Sequence, residues 1–261
     1  MLVGLAALTR GEGFATLFVL GVPLVWCTSS TMRARVKPAV IVCVSAIVIV
    51  APWTIRNART FDRFIPVSNN LSIAVSGANC DSVYHGTALG SFDPVCYLDD
   101  FTRAREHVAS GDEAAVLQRV GKVGRTYMFD HLDRLPAVVT ARVLRTWGFW
   151  PPSPILDYDV VDYGLRGPLA VGQAMFLLMF AFAIGGVVVL RRRRTLLWPL
   201  LVPGIIVVVV SAALHGLTRF RAAAEVPVIV LAAVALVAIA SHLRVRSADH
   251  PAELLEPSVS H

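Results

Sequence analysis

The chain has 261 residues, 56% of them hydrophobic, with a mean hydropathy of +0.64. Several long uncharged runs carry that excess, which excludes an ordinary soluble domain and marks a polytopic membrane protein. The formal net charge is +6, but the basic surplus sits in short loops beside apolar segments, a topology signal rather than a nucleic-acid footprint.

In chain order, residues 1–8 read as the end of a partial span, followed by a tight polar turn holding Arg10 and Glu12. Phe14–Cys27 is a second span. A basic loop with Arg33, Arg35 and Lys37 leads to a third, Ala39–Trp53. Residues 54–166 form the one long polar segment. Gly167–Leu190 then runs uncharged and stops at Arg191–Arg194; Leu196–Leu214 returns to the polar turn His215–Arg221, and Ala222–Leu243 makes the last crossing before Arg244 and Arg246. Residues 244–261 read as a disordered tail. The expected fold is therefore an all-α polytopic membrane protein. It has about five complete transmembrane helices plus a partial N-terminal one, in blocks 1–53 and 167–243, around a mixed, mostly helical loop domain at 54–166. Met1 opens directly into an apolar run with no basic leader, so a piece of a longer protein is expected.

The basic loops at 33–37, 191–194 and 244–246 fall on one side when the spans are counted. That side is assigned to the cytoplasm of a plasma membrane, which puts the loop domain and the turns at Arg10 and His215 outside. Of four cysteines, Cys27 and Cys43 lie in or beside spans, where a small apolar residue suffices. Cys80 and Cys96 share the outward segment, where oxidation is permitted, and are expected to pair. The bridge would contribute ~3 kcal/mol on the chain-entropy model.

Within the loop domain, Phe61–Val75 carries short β-type runs with turn residues. Ser110–Glu113 has the form of a capping box opening a helix to about Asp130. Pro136 can occupy the first turn of another, running to Trp147. There Leu135, Val139, Val143 and Trp147 recur on one side and Arg134, Arg142 and Arg145 on the other. Two readings fit equally: a helix lying on the membrane with arginines at lipid phosphates, or an amphipathic helix packed on the rest of the domain. Trp147, Phe149 and Trp150 form an aromatic belt cluster.

Three short polar clusters meet at the outer membrane face: Arg10 with Glu12; Arg56 with Asn57; and His215, Arg219, Arg221 and Glu225. Each alone fits an anchor at a span end. Together they place guanidinium groups where a lipid-linked phosphate would need them, since the planar fork matches phosphate oxygens. No metal-ligating, nucleotide-loop or nucleophile-elbow motif occurs, and neither a metal nor a cofactor is expected. The adjacent acids Asp99 and Asp100 read as solvated loop residues.

The segments GLAALTRGEG, APWTIRNARTFDRFIPVS and HGLTRFRAAAEVP, with the cysteine-bearing GANCDSVYHGTALGSFDPVCY, resemble the C-terminal half of polytopic GT-C glycosyltransferases, the protein-mannosyltransferase and aminoarabinose-transferase-like superfamily. The resemblance implies transfer of a sugar from a polyprenyl-phosphate donor to an extracytoplasmic glycan, lipid or protein acceptor. It implies further that Arg10 faces the donor cavity and that Arg219 and Arg221 lie near its phosphate or the acceptor. The superfamily's catalytic acid belongs to an outward loop nearer the N-terminus, which this chain does not contain, so no catalytic base is carried over and this chain alone is expected to be inactive. The rivals are a polysaccharide ligase or lipid-carrier transporter using the same arginines, and a non-catalytic assembly protein.

Overall fold

The computed structural model describes residues 2–9, 13, 17–23, 32–68, 70–108, 112–150 and 164–249. Among them the chain is helical, with no strand. The turn holding Arg10 and Glu12, both ends of the Phe14–Cys27 span, Cys27 among them, and the end of the tail lie outside the described residues.

Helix α1 (Leu2–Thr9) packs on α2 (Met32–Phe61). Gly4 permits the approach: a Cβ there would sit 3.1 Å from the Ala46 Cα. The 30 residues of α2 would reach ~45 Å, and the helix passes Trp53, where the sequence reading ended it. Among the described residues three helices are long and apolar enough to cross a membrane, Val36–Phe61 within α2, Arg166–Arg192, and Thr218–Arg244, and the expected five are not all seen there. A fourth apolar helix, Trp198–Ala213, has 16 residues, or ~24 Å against a ~30 Å hydrocarbon core.

The expected β-type stretch is not formed. Residues 62–68 turn back along α2, and Asn70–Gly77 is helix α3. Short apolar runs do not distinguish strand from helix by pattern, and here side chains replace a partner strand. Trp53 Nε1 donates to the Val67 carbonyl at 2.8 Å and Thr54 Oγ1 to that of Pro66 at 2.8 Å.

The rest of the loop domain is a helical module: α4 (Asp81–Tyr84), α5 (Pro94–Arg105), α6 (Glu113–Asp130) and α7 (Leu135–Trp147). Cys80 and Cys96 are bridged, with Cα atoms 6.4 Å apart, tying the start of α4 to α5. Asp93 caps α5 by accepting from the Val95 amide. Asp112 caps α6 through the Ala115 amide, Ser110 lies outside the described residues, and α6 ends at Asp130 as expected. Gly124 lets α6 press onto α3, where a Cβ would lie 2.5 Å from the Val75 carbonyl oxygen.

Helices α8 (Arg166–Arg192), α9 (Trp198–Ala213) and α10 (Ala222–Asp249) form the closing bundle. The last helix continues through Asp249, six residues into the stretch expected as tail. Helices α8 and α10 run in the same direction. Arg221, just before α10, meets Gln173 and Phe176 near the start of α8, and His242 and Leu243 share a groove with Gly185 and Val189 near its end. Between these points Gly186 touches the Leu231 backbone so closely that a Cβ would overlap the carbonyl oxygen. The core there is Phe176, Ala183, Val228 and Leu231. Arg191–Arg194 and Arg244 consequently lie at one end of the bundle, and the module covers the other.

Candidate functional site

Helix α7 joins module to bundle, and its arginines do it. Arg142 is 1% exposed and Arg145 2%. Arg142 donates to the Ala78 carbonyl (2.6 Å), to Asn79 Oδ1 (3.0 Å) and to the Ala212 carbonyl at the end of α9 (3.2 Å). Tyr84 donates to the same Asn79 oxygen at 2.8 Å. Arg145 reaches the Leu89 carbonyl at 2.6 Å and the Thr87 carbonyl. This overturns the membrane-surface reading: the arginine face of α7 points into the protein, because carbonyls left over by the short α3–α5 connections supply acceptors that lipid phosphates would otherwise have to provide. The packed-helix alternative holds. The aromatic belt is likewise packing in part, since Trp147 lies against Phe176 and Phe180 and Phe149 against Phe180, while Trp150 sits under the Arg145 guanidinium.

The turn from His215 to Arg221 is seated on that joint. Gly216 donates its amide to the Gly90 carbonyl at 2.8 Å. Neither glycine has room for a side chain: a Cβ on Gly216 would be 2.5 Å from the Arg142 carbonyl oxygen, and one on Gly90, at φ +76°, 2.7 Å from the Arg142 amide nitrogen. His215 is 4% exposed, packed between Phe92 (5.0 Å) and Phe220 (4.9 Å). Neither ring nitrogen has a hydrogen-bond partner among the described residues. Burial, then the charges of Arg219 and Arg142, push its imidazole down to about 3, so it is neutral at physiological pH.

Arg221 is 7% exposed and held on three sides. Nε pairs with Glu225 Oε1 at 3.1 Å, Nη1 donates to Gln173 Oε1 at 2.5 Å, and the guanidinium lies 3.9 Å from the Phe176 ring centroid. Arg219 is exposed, beside the Phe220 ring at 5.9 Å. Among the described residues the structure thus gathers His215, Arg219, Arg221 and Glu225 at the module end of α8 and α10.

Arg56 and Asn57 stand apart from that group. Asn57, 3% exposed, donates to the Ile65 and Val67 carbonyls at 3.2 Å each, and Arg56 donates to Asn57 Oδ1 at 3.1 Å. Their bonds hold the turn at 62–68 against α2, and none of the bonds at His215, Arg221 or Glu225 reaches them. Arg10 and Glu12 lie outside the described residues. Asp100, expected to be solvated, is 9% exposed and accepts from Ser76 Oγ at 2.7 Å and Arg103 at 3.2 Å, whereas Asp99 is exposed. Among the described residues no cluster of His, Cys, Asp and Glu could hold a metal ion.

Sequence reasoning missed Gln173 and Phe176, the partners of Arg221, since a lone glutamine in an apolar span and a phenylalanine among phenylalanines carry no pattern. It also missed Gly90 and Gly216, whose signal was present as isolated glycines in polar turns. No family model, curated protein or solved structure matches this chain.

Proposed function

We propose that this chain is the donor-phosphate half of a membrane glycosyltransferase of the GT-C kind, multi-pass in the plasma membrane, with its helical module extracytoplasmic and the Arg191–Arg194 end cytoplasmic. The observation that carries the reading is the rigid seat of the His215–Arg221 turn at the module end of two apolar helices. Arg221 is engaged by Glu225, Gln173 and Phe176, which fixes the turn that presents Arg219 at the surface. His215, neutral and buried, lowers the positive charge of the turn without loosening it.

In the reaction an acceptor oxygen attacks the anomeric carbon of the donor sugar and gives up its proton to a base. The bond from that carbon to the polyprenyl phosphate oxygen breaks, and the phosphate leaves as an anion. A guanidinium at the leaving phosphate stabilises the charge that develops there. Arg219 is assigned that place and Arg221 the positioning role, with Arg10 joining them on sequence grounds. No residue of this chain is assigned the base.

The test is binding of undecaprenyl phosphate against undecaprenol to the full chain in nanodiscs, read by native mass spectrometry. Preference for the phosphate, reduced about tenfold or more by Arg219→Ala, is expected from the loss of one charged hydrogen-bond donor. Equal retention of the neutral alcohol would overturn the reading and leave an assembly role.

A further inference from the structure

A second site lies within the module, away from the His215 turn. Between the turn at 62–68, α3 and α6 there is a cavity of about 420 Å³ whose lining includes Arg63, Phe64, Ser72, Ala114, Gln118 and Arg125. Ala114, Gln118 and Arg125, on one face of α6 at helical spacing, form one side of it.

Gly121 lies on the same face of α6, between Gln118 and Arg125. A Cβ there would lie 2.9 Å from Ser72 Oγ and 3.2 Å from Arg125 Nη1. Ser72 and Arg125 both border the space beside Gly121 and both line the cavity. Arg125 makes no hydrogen bond or ion pair among the described residues. Arg63 is braced differently: it donates to Gln118 Oε1 at 2.6 Å and pairs with Asp112 at 3.1 Å. Asp112 therefore pairs with Arg63, whereas the Arg125 guanidinium is exposed at the cavity. At the rim Phe64 is 79% exposed, the largest exposure of any large apolar side chain described.

An exposed aromatic ring, an amide, a hydroxyl and an exposed guanidinium around one concave space suit a sugar that carries an oxyanion. The ring covers the apolar C–H face of a pyranose. The amide and hydroxyl exchange hydrogen bonds with its hydroxyls, and the arginine takes the anion. We propose that this cavity binds an anionic saccharide residue, a uronic acid or sugar phosphate, independently of any transfer reaction at the His215 turn.

Isothermal titration of the full chain in detergent at low ionic strength, with methyl glucuronide, methyl glucoside and inorganic phosphate as probes, tests it. Glucuronide should bind and glucoside should bind at least about tenfold more weakly, the worth of one charged hydrogen bond. Arg125→Ala should abolish that preference, and Phe64→Ala should weaken glucuronide while leaving the preference intact. Both positions are exposed, and an unchanged melting temperature would show that each variant folds. Failure of glucuronide to bind would overturn the proposal. So would phosphate binding as tightly as glucuronide with no effect of Phe64→Ala, which would leave a simple anion site.

Discussion

Residues 142 and 215 sit beside one another in the joint, and burial acts on them in opposite ways. Arg142 stays useful as a cation because three oxygens meet its guanidinium; His215 meets none and is held neutral. The imidazole ordinarily titrates at 6.5 and in the fold at about 3. Between those values the unfolded chain binds a proton that the folded chain refuses, so stability is full above pH 6.5 and falls as the pH drops toward 3. The slope is at most about 1.4 kcal/mol per pH unit. Thermal melts in detergent across that window should show the decline, and His215→Phe, which suits the space between Phe92 and Phe220, should flatten it. An equal decline in the variant would place the acid sensitivity elsewhere. Spacing alone revealed that Arg134, Arg142 and Arg145 share a side of their helix. It could not reveal which side the protein covers, because most of the acceptors are backbone carbonyls, those of Arg142 in stretches 64 and 70 residues distant, and carbonyls leave no mark in a sequence.

At the scale of elements, what was legible was what local chemistry decides. The helix ending at Asp130 and the one from Leu135 to Trp147 follow from caps, a first-turn proline and periodicity. The three long apolar helices follow from uncharged length. The Cys80–Cys96 bridge follows from both cysteines sharing one polar segment. What was not legible is where side chains substitute for secondary structure. Trp53 read as the end of a span, Thr54 as the start of the polar segment and Asn57 as a candidate phosphate contact, yet all three hold the turn at 62–68. The bridge closes a loop that includes Gly90, whose carbonyl receives the Gly216 amide. Replacing both cysteines by alanine should destabilise the module by ~3 kcal/mol, read as a lower melting temperature for the disulfide-free chain than for the oxidised one. A difference near zero would mean that packing of α5 on α3 and α6 already confines that loop.

For the whole molecule, module and bundle meet backbone to backbone. Gly216 lies against α7 with no space for a methyl group, so Gly216→Val must either tilt the turn away or push α7 out of place. An overpacked contact of this kind costs about 1–3 kcal/mol. Here the cost falls on the one joint between the two bodies. Limited proteolysis should then cut the module from the bundle in the variant at protease levels that leave the parent chain whole; an identical digestion pattern would show that the joint does not depend on that contact. Polyprenyl phosphate binding should fall with it if the turn's rigidity is what presents Arg219.

Arg142 also sets an order of events during synthesis. Its acceptors at Ala78 and Asn79 emerge from the ribosome before it does, but the Ala212 carbonyl arrives 70 residues later. Gly216, whose amide seals Gly90, comes after that. The disulfide and the helices of the module can therefore close while its lower surface is still open, waiting for the α9–α10 hairpin to be delivered as a plug. A nascent chain halted before Trp198 should carry an oxidised bridge yet remain open to protease at α7, and the same chain carried past Arg221 should resist. Delivery of the last hairpin would complete the bundle and seat it on the module in the same step.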